Sequence, residues 1–599
     1  MRKYHIIKII MLLLLQSTMI TGCLSLGQNE PDITLLPELE TKDDRKQSDS
    51  SEDINEKNEF KKIQKTVQIS GNMPDGVSYT VYTDGNLLLT GGDISEIIAD
   101  DDMLSNYIDK ITSVEFGDGV TYIGEKVCEG LRIESVVFGN DVSEIGYGAF
   151  TGCTSLNKII FGEGMKNINE YAFSDCTSIK NIKMGDNVEK IGDYAFSGCN
   201  SLNDVELGSS LREIGIGVFS ECNSFVSVTL NSDISESAFK DCNSLKTVII
   251  GENVLNIGNK AFMGCNSLQN IKFGSSVVQI GEYAFYGCTG IMSVQLPPSL
   301  QNIAESAFSG CTSLNSIAFP ESLMYIANNA FSGCTAINSI NFPESGNISI
   351  GNNSFSDCSS VKHLIFNGVN KIGNHAFSGC VNITNIEFTE TLSEIGTMAF
   401  FNCSTISSIR FPDSGNITIG NSAFSNCASL KSVSLGPAVT SVNNYAFEGC
   451  SGLENAVFGA NVTTMGEEIF TGCSSLKSLS VSNNIGNGSF KGCSALTTIS
   501  FNNVSIIGDS AFEGCTALTQ LQLPECITHI GKRAFAECTS LQSITLPKSL
   551  QKICSNALYN DMSLNSVKYR GSSGQYNNVV LEKGWNANIS VEDVEYDAK

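Results

Sequence analysis

The chain has 599 residues, 41% of them hydrophobic, and its 63 acidic against 37 basic side chains give a formal net charge of -26 at pH 7. So acidic a surface repels nucleic-acid phosphates, and no basic cluster interrupts it, so general nucleic-acid binding is disfavoured. A chain of this length ordinarily divides into several domains, unless an internal repeat builds one long structure.

The N-terminus has the pattern of a bacterial export signal. Three basic residues precede an apolar run, 9–15, which is too short to span a bilayer as a mature helix. The sequence ITGC follows at 20–23 and resembles the lipobox of bacterial lipoproteins, in which the cysteine is acylated and becomes the new N-terminus. We therefore expect a signal peptide over 1–22 and lipidation of Cys23; an ordinary signal with a chance cysteine is the alternative.

Residues 23–67 are polar and charged. Such a composition buries too little apolar surface to offset the entropy lost when a chain becomes ordered. We predict a lipidated, disordered tether that holds the following domain away from the membrane.

No repeat is visible over 68–117, which we interpret as an N-terminal capping module. The segments Ser78–Tyr82 and Asn86–Thr90 flank Asp84-Gly85, a signal typical of a β-hairpin turn. A hairpin here would cover the apolar edge of the first coil.

A repeat then begins and governs the rest of the chain. Eighteen of the 22 cysteines, from Cys153 to Cys538, recur at intervals of 20 to 24 residues, most often 23. The repeated L-x-x-I-x-F is the strand motif of leucine-rich repeats, and a period of this length indicates a solenoid. The sequence predicts a β-rich solenoid of about twenty coils over 118–568, with a parallel concave sheet and short turns or 3-10 pieces on the convex side.

The coil that follows Cys265 illustrates the pattern. Ile271 and Phe273 are predicted to face inward while Lys272 faces outward, as in a half-buried strand. A second short extended piece is predicted near Ile280, and Gly281 is interpreted as permitting a tight bend. One coil buries too little apolar surface to fold alone, so stability must come from stacking on its neighbours.

The recurrent cysteines are predicted to be free, buried thiols. Each holds the same place after a core-facing Ala-Phe pair, where cysteine packs as a small hydrophobe. Pairwise disulfides are the alternative, although nothing in the spacing alternates. Zinc is disfavoured because its sites need clustered Cys or His ligands.

The unit A-F-x-G-C-x-S-L-x-x-I-x-[FL]-[GP]-x-x-[LV]-x-x-I-G resembles the BspA-like leucine-rich repeats of bacterial and some protist surface proteins. The resemblance covers roughly 118–569, and the flanking segments 84–87 and 568–576 are similar to that family's terminal modules. A C-terminal cap is accordingly expected over 569–599. The resemblance implies cell-surface adhesion, including binding to matrix or host glycoproteins and to other cells, but it implies no fixed ligand and no binding residue.

Nothing in the sequence forms a catalytic constellation. His363, His375 and His529 are predicted to be solvated and too scattered to share a metal or a triad. The glycine-containing segments lack the context of a phosphate-binding loop. We therefore expect no enzymatic activity, no cofactor and no metal.

The outward residue at the centre of each strand is the candidate for ligand binding, because solenoids bind through their concave sheet. These positions are mixed and free of aromatic residues, which favours a broad protein contact over carbohydrate recognition. A merely solvated sheet is the alternative. The candidate residues are Lys183, Glu206, Ile249, Lys272, Gln295, Asn341, Ile365, Glu387 and Arg410.

Acidic residues recur just past the strand and form a stripe, interpreted as a rim that keeps solenoids soluble. Calcium binding by this stripe is an alternative hypothesis. Its members are Asp118, Glu163, Asp186, Glu252, Glu321, Glu344, Glu390, Asp413 and Glu525.

Several coils depart from the standard length. The intervals Cys222–Cys242 and Cys473–Cys493 are short and are predicted to lose the V-x-x-I piece, pinching the curve locally. Two near-identical extensions occupy 342–348 and 411–417, and we interpret them as the result of a duplicated block rather than a paired contact.

The sequence as a whole predicts a non-catalytic lipoprotein, exported and anchored to a bacterial membrane through Cys23. On the cell surface, it would present its concave face to a protein or glycoprotein ligand on host or neighbouring cells. A structural envelope spacer without a specific ligand and a polysaccharide-binding surface protein are the alternatives.

Overall fold

The computed structural model describes residues 65–73, 76–95, 102–586 and 594–597. The chain divides into two units, 1–64 and 65–599, and the described residues all belong to the second. The predicted signal peptide, Cys23 and the predicted tether up to residue 64 therefore lie outside the described residues.

About 22 coils stack into a solenoid, which confirms the predicted fold class. The L-x-x-I-x-F motif of most coils forms a short strand, and most neighbouring strands pair in parallel, as Asn181–Lys183 does with Asp204–Glu206. We call the surface formed by the outward residues of these strands the first-strand face. The strands are Ser113–Phe116, Ser135–Phe138, Lys158–Ile160, Asn181–Lys183, Asp204–Glu206, Ser227–Leu230, Thr247–Ile250, Asn270–Lys272, Ser316–Ala318, Ser339–Asn341, His363–Phe366, Asn385–Phe388, Ser408–Arg410, Ser432–Ser434, Asn455–Val457, Ser478–Val481, Thr498–Phe501, Gln520–Gln522, Ser543–Leu546 and Ser566–Tyr569.

A second parallel ladder runs along the solenoid; the sequence predicted its short extended pieces, and the structure adds that they pair from coil to coil. Its strands pair through residues such as Gln279 and Asn302 of consecutive coils. We call this surface the second-strand face. Its strands are Tyr122–Ile123, Glu144–Ile145, Asn167–Ile168, Lys190–Ile191, Glu213–Ile214, Asn256–Ile257, Gln279–Ile280, Asn302–Ile303, Tyr325–Ile326, Ile348–Ile350, Val369–Ile372, Glu394–Ile395, Ile417–Ile419, Val439–Val442, Thr464–Met465, Ile506–Ile507, His529–Ile530, Lys552–Ile553 and Val580–Leu581.

The third side of each coil is a run of turns that also bonds to the next coil. Tyr283 N–H donates to Glu305 O at 2.9 Å, and Phe285 N–H donates to Ala307 O at 2.7 Å. We call these bonds the turn ladder. The sequence left open whether this side consists of short turns or of 3-10 pieces. Over 113–569 it consists of turns, with no 3-10 helix.

The interpretation of Gly281 as the bend residue is wrong. Tyr283, two positions later, adopts the left-handed conformation with φ 56°, whereas Gly281 does not. Gly281 instead lies so close to the preceding coil that a Cβ would come within 2.7 Å of Ile257 O. The glycine therefore serves close stacking, and Ala304 holds the same place one coil later.

Phenylalanine rings from the Ala-Phe pairs form a continuous column in the core. The rings of Phe308 and Phe331 have centroids 5.2 Å apart and lie within 1° of parallel. Because each ring contacts rings on both neighbouring coils, the column provides the stacking that a single coil lacks.

The eighteen recurrent cysteines are free and buried, which confirms the prediction made for them. Each thiol lies under the preceding coil and donates to one of its backbone carbonyls; Cys288 Sγ, for example, lies 3.1 Å from Phe262 O. Burial raises the pKa of Cys288 to about 12. These sulfurs are therefore both packing groups and hydrogen-bond donors between coils.

The N-terminal end is covered by strands, as predicted. Val67–Asn72, Ser78–Tyr82 and Asn86–Thr90 form an antiparallel sheet, which includes the predicted hairpin. The last of these strands pairs in parallel with Ser113–Phe116 and so continues into the solenoid. A helix at Asp102–Ser105 and a 3-10 helix at Ile108–Lys110 lie between them.

The C-terminal end is closed by a helix and a returning strand. The helix Ser573–Tyr576 begins with a capping box formed by Ser572 and Gln575. Val594–Tyr596 pairs with Ser566–Tyr569. Trp585 is buried, and its carbonyl accepts a hydrogen bond from Leu558 N–H at 3.0 Å.

The two short coils retain one residue of the second strand. Ile234 and Ile485 each form a single bridge to the following coil, so the prediction that the whole piece is deleted was too strong. In the first short coil, Asp233 Oδ1 accepts hydrogen bonds from Leu255 N–H at 2.7 Å and Asn256 N–H at 3.0 Å. The carboxylate thus replaces the backbone carbonyl that a coil of ordinary length provides.

Replacing Asp233 with alanine is expected to destabilise this region by about 1 kcal/mol, because two backbone N–H groups lose their acceptor. Asp233→Asn is the matched control and should lose less than the alanine variant, since an amide oxygen can accept both bonds, as Asn484 Oδ1 does from Ser505 N–H and Ile506 N–H in the other short coil. Urea unfolding and amide exchange of Asn256 measure the effect. Equal losses for the two variants would contradict this role.

Burial alone would raise the pKa of Asp233, but hydrogen bonds from Asn256 and Leu255 outweigh it and hold the pKa below its ordinary value. The stabilising contribution of this carboxylate is consequently present at neutral pH and is lost as pH falls through the lowered pKa.

Candidate functional site

The nine predicted binding residues lie on the first-strand face. Each is the outward-facing residue of its segment; eight are exposed and Glu387 is half-buried, and all but Gln295 lie in a strand. The flanking strand residues, such as Ile271 and Ile386, face the core. The alternation predicted for these strands is therefore the feature that places the candidates on one surface.

Charged residues on this face pair with each other across neighbouring coils. Lys183 Nζ lies 3.6 Å from Glu206 Oε2, and Arg410 Nη1 lies 2.9 Å from Glu387 Oε1. Exposed pairs of this kind contribute little to stability, but they neutralise the charge on both sides. The stretch between them, from Ile249 to Ile365, is close to neutral, with Lys272 as the one charged member of the central column.

A shallow groove of 490 Å³ opens in the middle of this neutral stretch. It is lined by Gln295, Ala318 and Asn341 at the surface, with Leu296 and Phe319 beneath them. Two of these residues, Gln295 and Asn341, belong to the predicted binding set.

The groove coincides with a coil that has no first strand. Among the described backbone hydrogen bonds, none joins Ser293–Gln295 to the neighbouring strands Asn270–Lys272 and Ser316–Ala318. The N–H and C=O groups of this segment are therefore free to bond to another chain. Sequence reasoning missed the gap; its one signal is the tandem Pro297-Pro298, where other coils have one proline or none.

Three of the nine members of the acidic stripe, Asp186, Glu252 and Glu525, accept backbone hydrogen bonds from the following coil. Asp186 Oδ1 accepts from Ser209 N–H at 3.2 Å, and Glu252 Oε2 accepts from Ser275 N–H at 2.8 Å. Hydrogen bonds from Ser275 lower the pKa of Glu252. Within the described residues, no group of three or more His, Cys, Asp or Glu side chains is placed to hold a metal ion.

His363 and His375 belong to one coil and His529 to a distant one; His363 and His529 form local polar contacts. His363 Nδ1 lies 3.2 Å from Asn385 Nδ2, and His529 Nδ1 lies 2.9 Å from Thr528 Oγ1. His375 occupies a left-handed turn position, with φ 56°.

Comparison with protein families decides the classification. Segments 121–236, 232–362, 348–477 and 474–583 match the BspA type leucine rich repeat region (6 copies), and together they span most of the chain. The chain belongs to this family. The repeat, the ladder of strands and the resemblance noted in the sequence all agree with this membership.

Solved structures share the repeat type with low similarity. A leucine-rich repeat protein from Bacteroides ovatus is 22% identical, with 88% of this chain and 99% of that chain covered and a TM-score of 0.24. A leucine rich cell surface protein from Faecalibacterium prausnitzii is 22% identical, with coverage of 86% and 97% and a TM-score of 0.23. The T. pallidum leucine rich repeat protein is 26% identical, with coverage of 33% and 91% and a TM-score of 0.26.

No curated protein matches the chain. Among the described residues, no helix has both the length and the apolar character needed to cross a membrane.

Proposed function

We propose that this chain is a non-catalytic bacterial surface protein that is exported, anchored through a lipid on Cys23 and binds a protein or glycoprotein on host or neighbouring cells. The observation that carries the proposal is the 490 Å³ groove at the centre of the first-strand face. It lies among the predicted binding residues, in the least charged part of their column.

The groove suits an extended polypeptide segment better than a sugar. The unpaired backbone of Ser293–Gln295 offers main-chain hydrogen bonds, the mode by which a peptide adds to an open strand edge. Its aromatic residue, Phe319, is buried beneath the surface, so no ring platform is presented to a sugar. A protein ligand is therefore favoured over a polysaccharide.

A panel of purified matrix glycoproteins, host proteins and glycans, probed with the full chain in detergent, tests the binding role. The proposal expects saturable binding to at least one protein or glycoprotein. Ala318→Arg, which places a long charged side chain in the groove, should raise the Kd of that ligand at least tenfold. Ser434→Arg makes the same change at the centre of another exposed strand and should change the Kd less than twofold.

Other outcomes would refute this proposal. No saturable binding together with intact surface display would favour a structural spacer, and binding confined to glycans would favour polysaccharide capture. An equal loss of affinity in the two arginine variants would show that the ligand does not bind in the groove.

The lipid anchor has a separate test. Because acylation requires the cysteine thiol, Cys23→Ser should abolish incorporation of an alkyne-tagged fatty acid and release the protein from the membrane fraction. The comparison is Cys526→Ser, which leaves the signal region unchanged. Equal labelling of both variants would contradict lipidation at Cys23.

A further inference from the structure

At the junction between coil 199–221 and coil 222–241 the strands of the first-strand face do not pair, as is also the case between Lys158–Ile160 and Asn181–Lys183; what distinguishes this junction is that the second-strand face is open there too. Asp204–Glu206 pairs with the strand before it, and Ser227–Leu230 pairs with the strand after it. Among the described hydrogen bonds, none joins Asp204–Glu206 to Ser227–Leu230. The strands of the first-strand face are therefore not hydrogen-bonded to each other at this junction.

The second-strand face is open at the same junction. Glu213–Ile214 is the last strand of its sheet, and Ile234 bridges forward to Ile257 but not back. Among the described bonds, the one that crosses this face is made by a side chain. Ser235 Oγ donates to Gly215 O at 2.9 Å. Both sheets thus lack main-chain continuity between the same two coils.

The turn ladder remains complete on the third side. Gly217 N–H donates to Glu236 O at 2.8 Å, Phe219 N–H to Ala238 O at 2.9 Å and Glu221 N–H to Lys240 O at 2.8 Å. Next to this ladder, Asn223 Nδ2 donates to Asn200 Oδ1 at 2.8 Å. The main-chain bonds that hold the two coils together are consequently all on one side.

Phe225 is a bulky residue at the centre of this junction. It takes the place that leucine holds in the flanking coils, at Leu202 and Leu245, and it is 2% exposed. Its ring packs edge-on against Phe219 and Phe239, with centroid distances of 5.8 and 6.1 Å. A larger side chain in a close-packed core forces its surroundings apart.

The core shows the effect of this wedge. The Phe219 ring is tilted by 17° from Phe196 and by 23° from Phe239, the two largest tilts in the column over Phe150–Phe535. A gap of 230 Å³ opens beside it on the first-strand face. Val228 is half-buried there, whereas Val248 at the same position of the next coil is fully buried.

We infer that this junction is a hinge, about which the coils up to Glu221 swing relative to those from Cys222 onward, with the turn ladder as the pivot. The other short coil supplies an internal comparison. It carries the same deletion but has Leu476 at the leucine position, and its strand Ser478–Val481 pairs with Asn455–Val457. The hinge therefore follows from the wedge together with the deletion, and not from the deletion alone. It is independent of the proposed binding role.

Amide exchange of the full chain tests the loss of pairing. Backbone amides in Asp204–Glu206 and Ser227–Leu230 that face the junction should exchange at least tenfold faster than amides of Ser478–Val481. Phe225→Leu should slow exchange at the junction at least tenfold and leave Ser478–Val481 unchanged. Equal protection at the two short coils in the unaltered chain would overturn the inference.

Distance distributions test the swing itself and do not depend on the Phe225 variant folding. Spin labels carried on p-acetylphenylalanine at Lys183 and Lys272 span the hinge, while labels at Ser434 and Gln522 span the other short coil across the same number of junctions. The first pair should give a distribution at least twice as wide as the second. Equal widths would show a rigid junction and contradict the hinge.

Discussion

Truncating Phe331 to alanine is expected to lower the free energy of unfolding by about 3–5 kcal/mol, which is the range for deleting a buried aromatic side chain. The ring is fully buried and lies 5.2 Å from the Phe308 ring on one side and 5.2 Å from the Phe355 ring on the other. Its removal therefore breaks two coil-to-coil contacts at once. In a linear solenoid, such a break separates the structure into two weakly coupled parts.

Urea unfolding followed by circular dichroism measures this loss. Phe331→Leu keeps most of the buried volume and should lose less than the alanine variant. Ile365→Ala removes an aliphatic side chain that is 50% exposed on the first-strand face, and its effect should stay within about 0.5 kcal/mol. A Phe331→Ala chain as stable as Ile365→Ala would contradict the role of the ring column.

Raising the pH from 5 to 8 is expected to loosen the last coils through Asp561. This residue stands where the cysteine ladder would continue; it is 2% exposed, and its Oδ1 accepts from Cys538 N–H at 2.8 Å. Its Oδ2 has no partner in the part of the chain that the structure describes. Burial raises the pKa of Asp561 to about 8, opposed by the Cys538 hydrogen bond and assisted by the charge of Glu537.

The sign follows from proton binding. Between the unfolded pKa of about 4 and the folded pKa, the folded chain holds a proton that the unfolded chain has lost. Stability therefore falls as pH rises through this window, by up to about 1.4 kcal/mol per pH unit, and the penalty is complete above the folded pKa.

Amide exchange of Ser566–Tyr569, corrected for intrinsic exchange rates, reports this local loosening, because end coils open separately from the middle. Asp561→Asn keeps the oxygen that accepts from Cys538 and removes the titrating group, so its exchange should depend much less on pH. A wild-type chain whose last strand is equally protected at pH 5 and pH 8 would contradict the assignment.

Much of the fold could be predicted from the sequence because each coil must bury apolar residues at the same repeating positions. Inward Ile271 and outward Lys272 had to alternate, and a cysteine recurring after a core-facing phenylalanine had to be buried. Such features depend on residue type and period alone, and the structure agrees with them. The second extended piece of each coil and the N-terminal hairpin followed from equally local signals.

The features that could not be predicted depend on how neighbouring coils fit together. The acidic stripe looked like a solvated rim, but Asp186 and Glu252 accept hydrogen bonds from the next coil. Gly281 looked like a bend residue, but the left-handed position belongs to Tyr283. The effect of Phe225 required the relative placement of the Phe219 and Phe239 rings. In the candidate site, the alternation located the outward residues, whereas the missing strand at Ser293–Gln295 had only a tandem proline as its signal.

A count of reactive thiols in the native and denatured chain tests the central claim, that identical coils stack with their sulfurs turned into the core. Of the 21 described cysteines, 19 are buried and two, Cys526 and Cys554, are half-buried. In the native chain, alkylation followed by peptide mass spectrometry should modify Cys526 and Cys554 and leave the recurrent cysteines unmodified. In denaturant without reductant, all 21 should react. Recurrent cysteines that react in the native chain, or that stay blocked as disulfides after denaturation, would contradict the account.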